Sequence, residues 1–248
     1  MEYFIAIFSL IVLALLPWLL YFIWYSRLKA KYVKFFLIGG IGWLLALLAR
    51  TPILMALQLM PNQLVQGVIA SLLAGIFEEC FRFFFIQKFL GGEFSSGNGI
   101  SFGVGWGVFE IILMHTLNLI VLLVIISLNI SIPGQEIPPP DELFIGGLVG
   151  VYERIVVTTL HVGLTLVIIH AIKNRLWLYF AITYHFLVDF VAVTMAITLE
   201  TTLANLWLIE GVITLLVIIL YVIILKVLRV RLSRAFMDTS EELLPIFA

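Results

Sequence analysis

Apolar runs long enough to cross a bilayer occupy almost the whole chain, with only short polar connections between them. A hydrocarbon core of roughly 30 Å needs about 20 apolar residues in a helix. Seven segments meet that length, at roughly 3–25, 35–59, 64–90, 100–128, 143–172, 176–199 and 205–228. Lipid gives the backbone no water to bond, so each run must satisfy its own N–H and C=O groups, which a helix does. The expected fold is therefore all-α, a polytopic bundle of about seven transmembrane helices. One integral membrane domain covers 1–248, and the chemistry-bearing helices lie at about 64–199. Composition agrees: 63% of the residues are apolar and 12% charged, against roughly 25% charged in soluble domains. The first run is too long for the core of a signal peptide and more spans follow it, so it reads as retained. No internal repeat or separate soluble domain is visible.

Basic residues in the short connections set the direction. Arg27, Lys29, Lys31 and Lys34 fill the first loop, Lys173 and Arg175 the fifth, and Lys226, Arg229, Arg231 and Arg234 open the C-terminal tail. The loop at 129–142 instead carries Glu136, Asp141 and Glu142 around Pro138-Pro139-Pro140, and the third loop, with Lys88 and Glu93, is neutral. The N-terminus is expected outside and the C-terminus in the cytoplasm. Arg50-Thr51-Pro52 reads as a break or end of the second helix near the outer face. The net charge of −1, without a basic aromatic stripe, argues against a nucleic-acid partner. The lone Cys80 excludes an intrachain disulfide, and its expected role is that of a small buried hydrophobe.

Against this background the charges inside the spans stand out. Glu78 and Glu79 are adjacent in the third span, and Arg82 follows within a helical turn of both. An ionised group at bilayer depth costs on the order of 2.5–3.5 kcal/mol or more. Two carboxylates there need compensating cations or hydrogen bonds, and such a buried, paired acid is how a general base or metal ligand looks in a sequence. The fourth span carries Gly103, Gly105 and Gly107 followed by Glu110. Small residues in that pattern let a neighbouring helix approach closely. In the fifth span Glu153 and His161 are eight residues apart, about 80° around the helix, and can share a face. His161 and His170 point in opposite directions, so only one faces a given site. In the sixth span His185 and Asp189 lie one turn apart, either as two metal ligands or as a histidine with its orienting acid. Glu79, His161, His185 and Asp189 form the expected functional cluster. His115 and His170 read as hydrogen-bonded packing residues, Glu153-Arg154 as a local ion pair, and Glu210 as solvated by headgroups near the outer end of the seventh span.

The order of these features resembles a known family. Glu78-Glu79-Cys80-Phe81-Arg82, then Gly103 to Glu110, then Glu153-Arg154 through His161, then His185 to Asp189 is similar to the YhfC group of intramembrane proteases. That group is similar in turn to the CPBP (CAAX-processing and bacteriocin-immunity) proteases, to PrsW and to the seven-helix scaffold subunit of γ-secretase. The match covers roughly 75–190. Two residues separate Glu79 from Arg82 where the CPBP pattern has three, and Asp189 stands where an Asn is usual. Both differences favour YhfC over CPBP proper, and with it a less specific expectation than a prenylated substrate.

The resemblance implies hydrolysis of a peptide bond in a membrane-embedded or lipidated substrate, in the plasma membrane of a prokaryote. The implied site is Glu78, Glu79, Arg82, Glu110, His161, His185 and Asp189. Glu79 is the expected general base, tuned by Glu78 and Arg82. His161 and His185 either polarise the carbonyl or bind Zn²⁺ with Glu79 and Asp189, so zinc-dependent and metal-free mechanisms both stand. Two other classes use the same residues: a noncatalytic scaffold with a polar core, and a proton-coupled transporter. The lack of an inverted repeat counts against the transporter, and a cavity reaching the acids would count against the scaffold.

Overall fold

The computed structural model describes residues 1–90, 95–131 and 137–228. Glu93, Glu136 and the tail residues Arg229, Arg231 and Arg234, used above to assign direction, lie outside the described residues. The seven expected helices are present: α1 (Glu2–Ser26), α2 (Ala30–Leu57), α3 (Gln63–Phe85, continued by a π-helical turn Ile86–Leu90), α4 (Ser96–Ser127), α5 (Pro140–Ala171), α6 (Leu176–Thr198) and α7 (Leu203–Lys226). Six are long and apolar enough to cross a membrane, and the seventh, α3, is the one that holds Glu78, Glu79 and Arg82. Six such helices, with large apolar side chains such as Phe8, Leu48, Val121 and Ile218 exposed along the outside, make this an integral, multi-pass membrane protein.

Local chemistry explains the ends. Asn62 accepts a hydrogen bond from the Val65 N–H at the start of α3, Ser95 from Asn98 at the start of α4, and Thr202 from Asn205 at the start of α7. Each satisfies one donor that the first turn leaves free. The α5 helix starts at Pro140, three residues earlier than expected, because a proline at the first helical position has no N–H to leave unpaired. The expected break at Pro52 does not occur, and α2 runs on to Leu57. Proline removes a donor there, but Thr51 sends its hydroxyl back to the Leu47 carbonyl at 2.7 Å, and neighbouring helices hold the segment.

The α4 helix is the axis of the bundle, with α2 on one side and α5 on the other, while α3 packs chiefly on α6. The alternating glycines make this possible. A Cβ on Gly105 would collide with the backbone carbonyl of Phe36 in α2, and one on Gly103 would sit 2.7 Å from the Cα of Val162 in α5. Gly107 faces Thr158 of α5, the helix that Gly103 also faces, so the two glycines four apart form one seam and Gly105 the other. Cys80 departs from its expected place and is exposed on the outside of the bundle. Consecutive positions on a helix differ by about 100°, so the residue after Glu79 need not be buried with it.

Candidate metal centre

The inward face of α3 carries the acids into a buried polar interior: Glu78 is 3% exposed, and Glu79 and Arg82 are 0% exposed. Glu79 and Arg82 form one unit. The Arg82 guanidinium donates from Nη1 to Glu79 at 2.9–3.0 Å, and its Nη2 lies 2.9 Å from His161 Nδ1 on α5. The same guanidinium lies over the Trp106 ring of α4, 4.5 Å from its centroid, which compensates a buried cation. Because arginine only donates, His161 Nδ1 accepts and the ring proton sits on Nε2, donated to Glu110 Oε2 at 2.6 Å. Glu110 is anchored through Oε1 by Arg154 Nη1 at 3.0 Å, and Arg154 also binds Glu153. Glu110 is the last residue before a π-helical segment, Ile111–Thr116, a widened turn of the kind found at functional sites.

On α6 the Nδ1–H of His185 donates to Glu79 Oε1 at 2.7 Å, and Nε2 is 3.7 Å from Asp189 Oδ2. Glu78 accepts from Trp106 Nε1 at 3.1 Å and pairs with Arg50 Nη2 of α2 at 2.9 Å. The two imidazole rings are 5.6 Å apart between centroids. Glu78, His161 and His185 each bring one donor atom within 4.8 Å of the others.

These side chains wall a cavity of about 320 Å³ inside the bundle. Glu78, Glu110, His161, His185 and Asp189 line it, with Arg50, Glu153, Arg154 and Glu210. Glu79 and Arg82 do not line it and stand behind the wall. The structure thus brings all seven residues of the expected site together, with donor atoms of Glu78, His161 and His185 within 4.8 Å of one another and Glu79 bonded to the Nδ1 side of His185. His115 and His170 lie elsewhere, His115 against Gly150 and His170 bonded to the Leu166 carbonyl at 2.9 Å. Arg154 is more than a local partner of Glu153, since it reaches α4. Glu210 is not solvated at an interface but is 7% exposed and part of the cavity wall. Two participants escape a reading along the chain. Arg50 is visible only as a charge near a proline, and Trp106 Nε1 only as an indole within a glycine motif.

One carboxylate and two imidazoles are a zinc-type donor set, and a carboxylate on the far nitrogen of a histidine ligand fixes its tautomer. His185 meets this description, with Nδ1 held by Glu79 and Nε2 as the nitrogen it could offer a metal. His161 is held by Arg82 at Nδ1 and by Glu110 at Nε2, so it would bind a metal as a neutral imidazole only by giving up one of these partners. The residues present fit a divalent metal.

Fold and site together define a polytopic membrane protein with a buried carboxylate–histidine centre. The family model described as YhfC intramembrane metalloprotease matches residues 12–137 and 141–213, and this chain belongs to that family. It is 29% identical over 201 residues to the "Uncharacterized membrane protein YhfC" of Bacillus subtilis (strain 168), covering 69% of this chain and 76% of that protein. No solved structure matches.

Proposed function

We propose that this protein is an intramembrane protease whose cavity hydrolyses a peptide bond of a membrane-embedded or lipidated substrate. The observation that carries the proposal is the convergence of Glu78, His161 and His185 on a charged cavity inside an apolar bundle. A scaffold needs a satisfied polar core but no such space, and the family's description as a metalloprotease points the same way.

Glu78, His161 and His185 would hold the metal, with Asp189 as the further donor within reach. Zinc there would supply a Lewis acid for the scissile carbonyl and lower the pKa of water. The rest is the work of the chain. Arg50 and Trp106 hold the Glu78 carboxylate in one orientation, and Glu79 keeps the His185 proton on Nδ1. Arg82 locks Glu79 and His161 together. Glu110 is fixed through Oε1 by Arg154, and its Oε2, which accepts from His161 Nε2, would take a proton from the attacking water once that imidazole has turned away. The water oxygen bonds to the carbonyl carbon, the C–N bond breaks, and Oε2 passes its proton to the leaving nitrogen.

The cavity also has a side. Arg50 and Leu54 lie in the last third of α2, Ala70 in the first third of α3, Ala192 and Val193 in the last third of α6, and Glu210 in the first third of α7. These ends share the side of the N-terminus, opposite the basic loops at 27–34 and 173–175. With those loops in the cytoplasm, the cavity lies toward the outer leaflet and the substrate is membrane-embedded or presented there. Single cysteines in the 58–62 and 199–202 connections, on a Cys80→Ala background, are expected to react with an impermeant maleimide in intact cells. Labelling of cysteines at 28 or 174 instead reverses the orientation.

Purified protein offered fluorogenic transmembrane and lipidated peptides is expected to cleave at least one, to contain zinc, and to lose both metal and cleavage with a chelator. Cleavage unaffected by chelation would reject the metal. Protein that cleaves no peptide, holds no metal and copurifies with another membrane protein would favour the scaffold.

A further inference from the structure

The polar network leaves one acid of the cavity wall unclaimed. Five carboxylates, Glu78, Glu110, Glu153, Asp189 and Glu210, line the cavity with two guanidiniums, Arg50 and Arg154. Both guanidiniums make their ion pairs with other acids, Arg50 with Glu78 and Arg154 with Glu110 and Glu153, and Arg154 acts on Glu210 only through its charge. Asp189 has His185 within ion-pair reach. Glu210 is 7% exposed, and its Oε2 has no hydrogen-bond partner among the described residues. A carboxylate taken out of water without a hydrogen-bond partner gains from any cation that comes beside it. Its helix otherwise gives the cavity only the apolar Ile213.

Position gives this acid a role. Glu210 lies seven residues into α7, about 10 Å along its axis. Glu78 lies fifteen residues into α3 from the same side, about 22 Å along. The carboxylate therefore sits nearer the N-terminal side of the bundle than the Glu78–His161–His185 centre, in the same cavity. A metal ion at that centre would not meet its need for a partner.

We infer that Glu210 forms a substrate subsite for a cationic group, a lysine or arginine side chain, on the side of the cavity nearer the protein's own N-terminus. This rests on the protease proposed above. An ammonium or guanidinium entering the cavity pairs with Glu210 in surroundings where the exchange of water for a charged partner favours specificity. A substrate without that cation leaves the carboxylate unpaired, so the subsite also rejects neutral segments.

The test uses full-length protein in nanodiscs and fluorogenic transmembrane peptides that differ at one position, lysine against glutamine, stepped through successive positions along the peptide. The wild type is expected to favour lysine in kcat/KM by about tenfold or more at one register. That ratio should collapse toward one in Glu210→Gln and persist in Glu210→Asp. A second arm measures binding alone, by fluorescence anisotropy of the same labelled peptides on Glu78→Gln protein, where lysine should lower Kd by a similar factor. Equal handling of lysine and glutamine peptides by the wild type, at every register and in both arms, overturns the subsite without any variant. So does a lysine preference undiminished in Glu210→Gln. Lysine-selective binding that depends on Glu210, in a wild type that cleaves nothing, would keep the subsite and reject the protease.

Discussion

Glu78→Gln is expected to lower peptide cleavage by about 10³-fold or more, the scale on which loss of a core catalytic group registers, and to strip the protein of metal. Glu79→Gln is expected to cost about 10–100-fold, the usual effect of removing a carboxylate that orients a histidine ligand. The distinction follows from position. Glu78 lines the cavity within 4.8 Å of both histidines, whereas Glu79 is 0% exposed with its oxygens taken by Arg82 and His185. Metal content by mass spectrometry and kcat/KM on one peptide, measured for both variants, separate the roles. Full activity in Glu78→Gln with none in Glu79→Gln would move the metal-donor role from Glu78 to Glu79.

Arg82→Leu should have the largest effect on stability. It removes the cation that holds Glu79 at 2.9–3.0 Å and the donor that reaches His161 Nδ1 at 2.9 Å, and it strips the Trp106 ring of its partner. Breaking a buried pair by deleting one member costs about 3–5 kcal/mol, because the other charge stays behind uncompensated. Unfolding in mixed detergent micelles with rising SDS should show a transition shifted well below that of the wild type. Leucine fills much of the vacated volume, so packing loss contributes less than the stranded carboxylate. The double variant Arg82→Leu/Glu79→Leu should recover part of the loss. A single variant that unfolds at the wild-type SDS fraction would show that Arg82 does not hold the core.

What could be read from the chain was whatever depends on local spacing and on the cost of charge in lipid. Seven helices, their approximate ends, the pairing of Arg82 with a glutamate, the choice of His161 over His170 and the company of His185 with Asp189 all follow from apolar length and from positions three, four and eight apart on a helix. The glycines at 103, 105 and 107 announced a crowded α4, though only the packing shows that they serve two neighbours, α2 and α5.

The tertiary structure decided which acid faces which way. Glu78 and Glu79 are neighbours, about 100° apart on α3, so either could look into the cavity. The rotation of α3 about its own axis chooses, and that rotation is set by its packing on α2 and on α6, where the Glu79–His185 contact joins residues 106 positions apart. The same holds for Arg50, whose partner Glu78 is on another helix, for Trp106, whose N–H crosses from α4 to α3, and for Glu210, buried because α7 closes against α5. The sequence by itself determined that these charges must be sheltered from lipid, because hydrocarbon cannot solvate them. Only the folded bundle decided which would meet a partner and which would be left facing the cavity, because helix rotation and neighbour identity are not encoded in spacing along one helix.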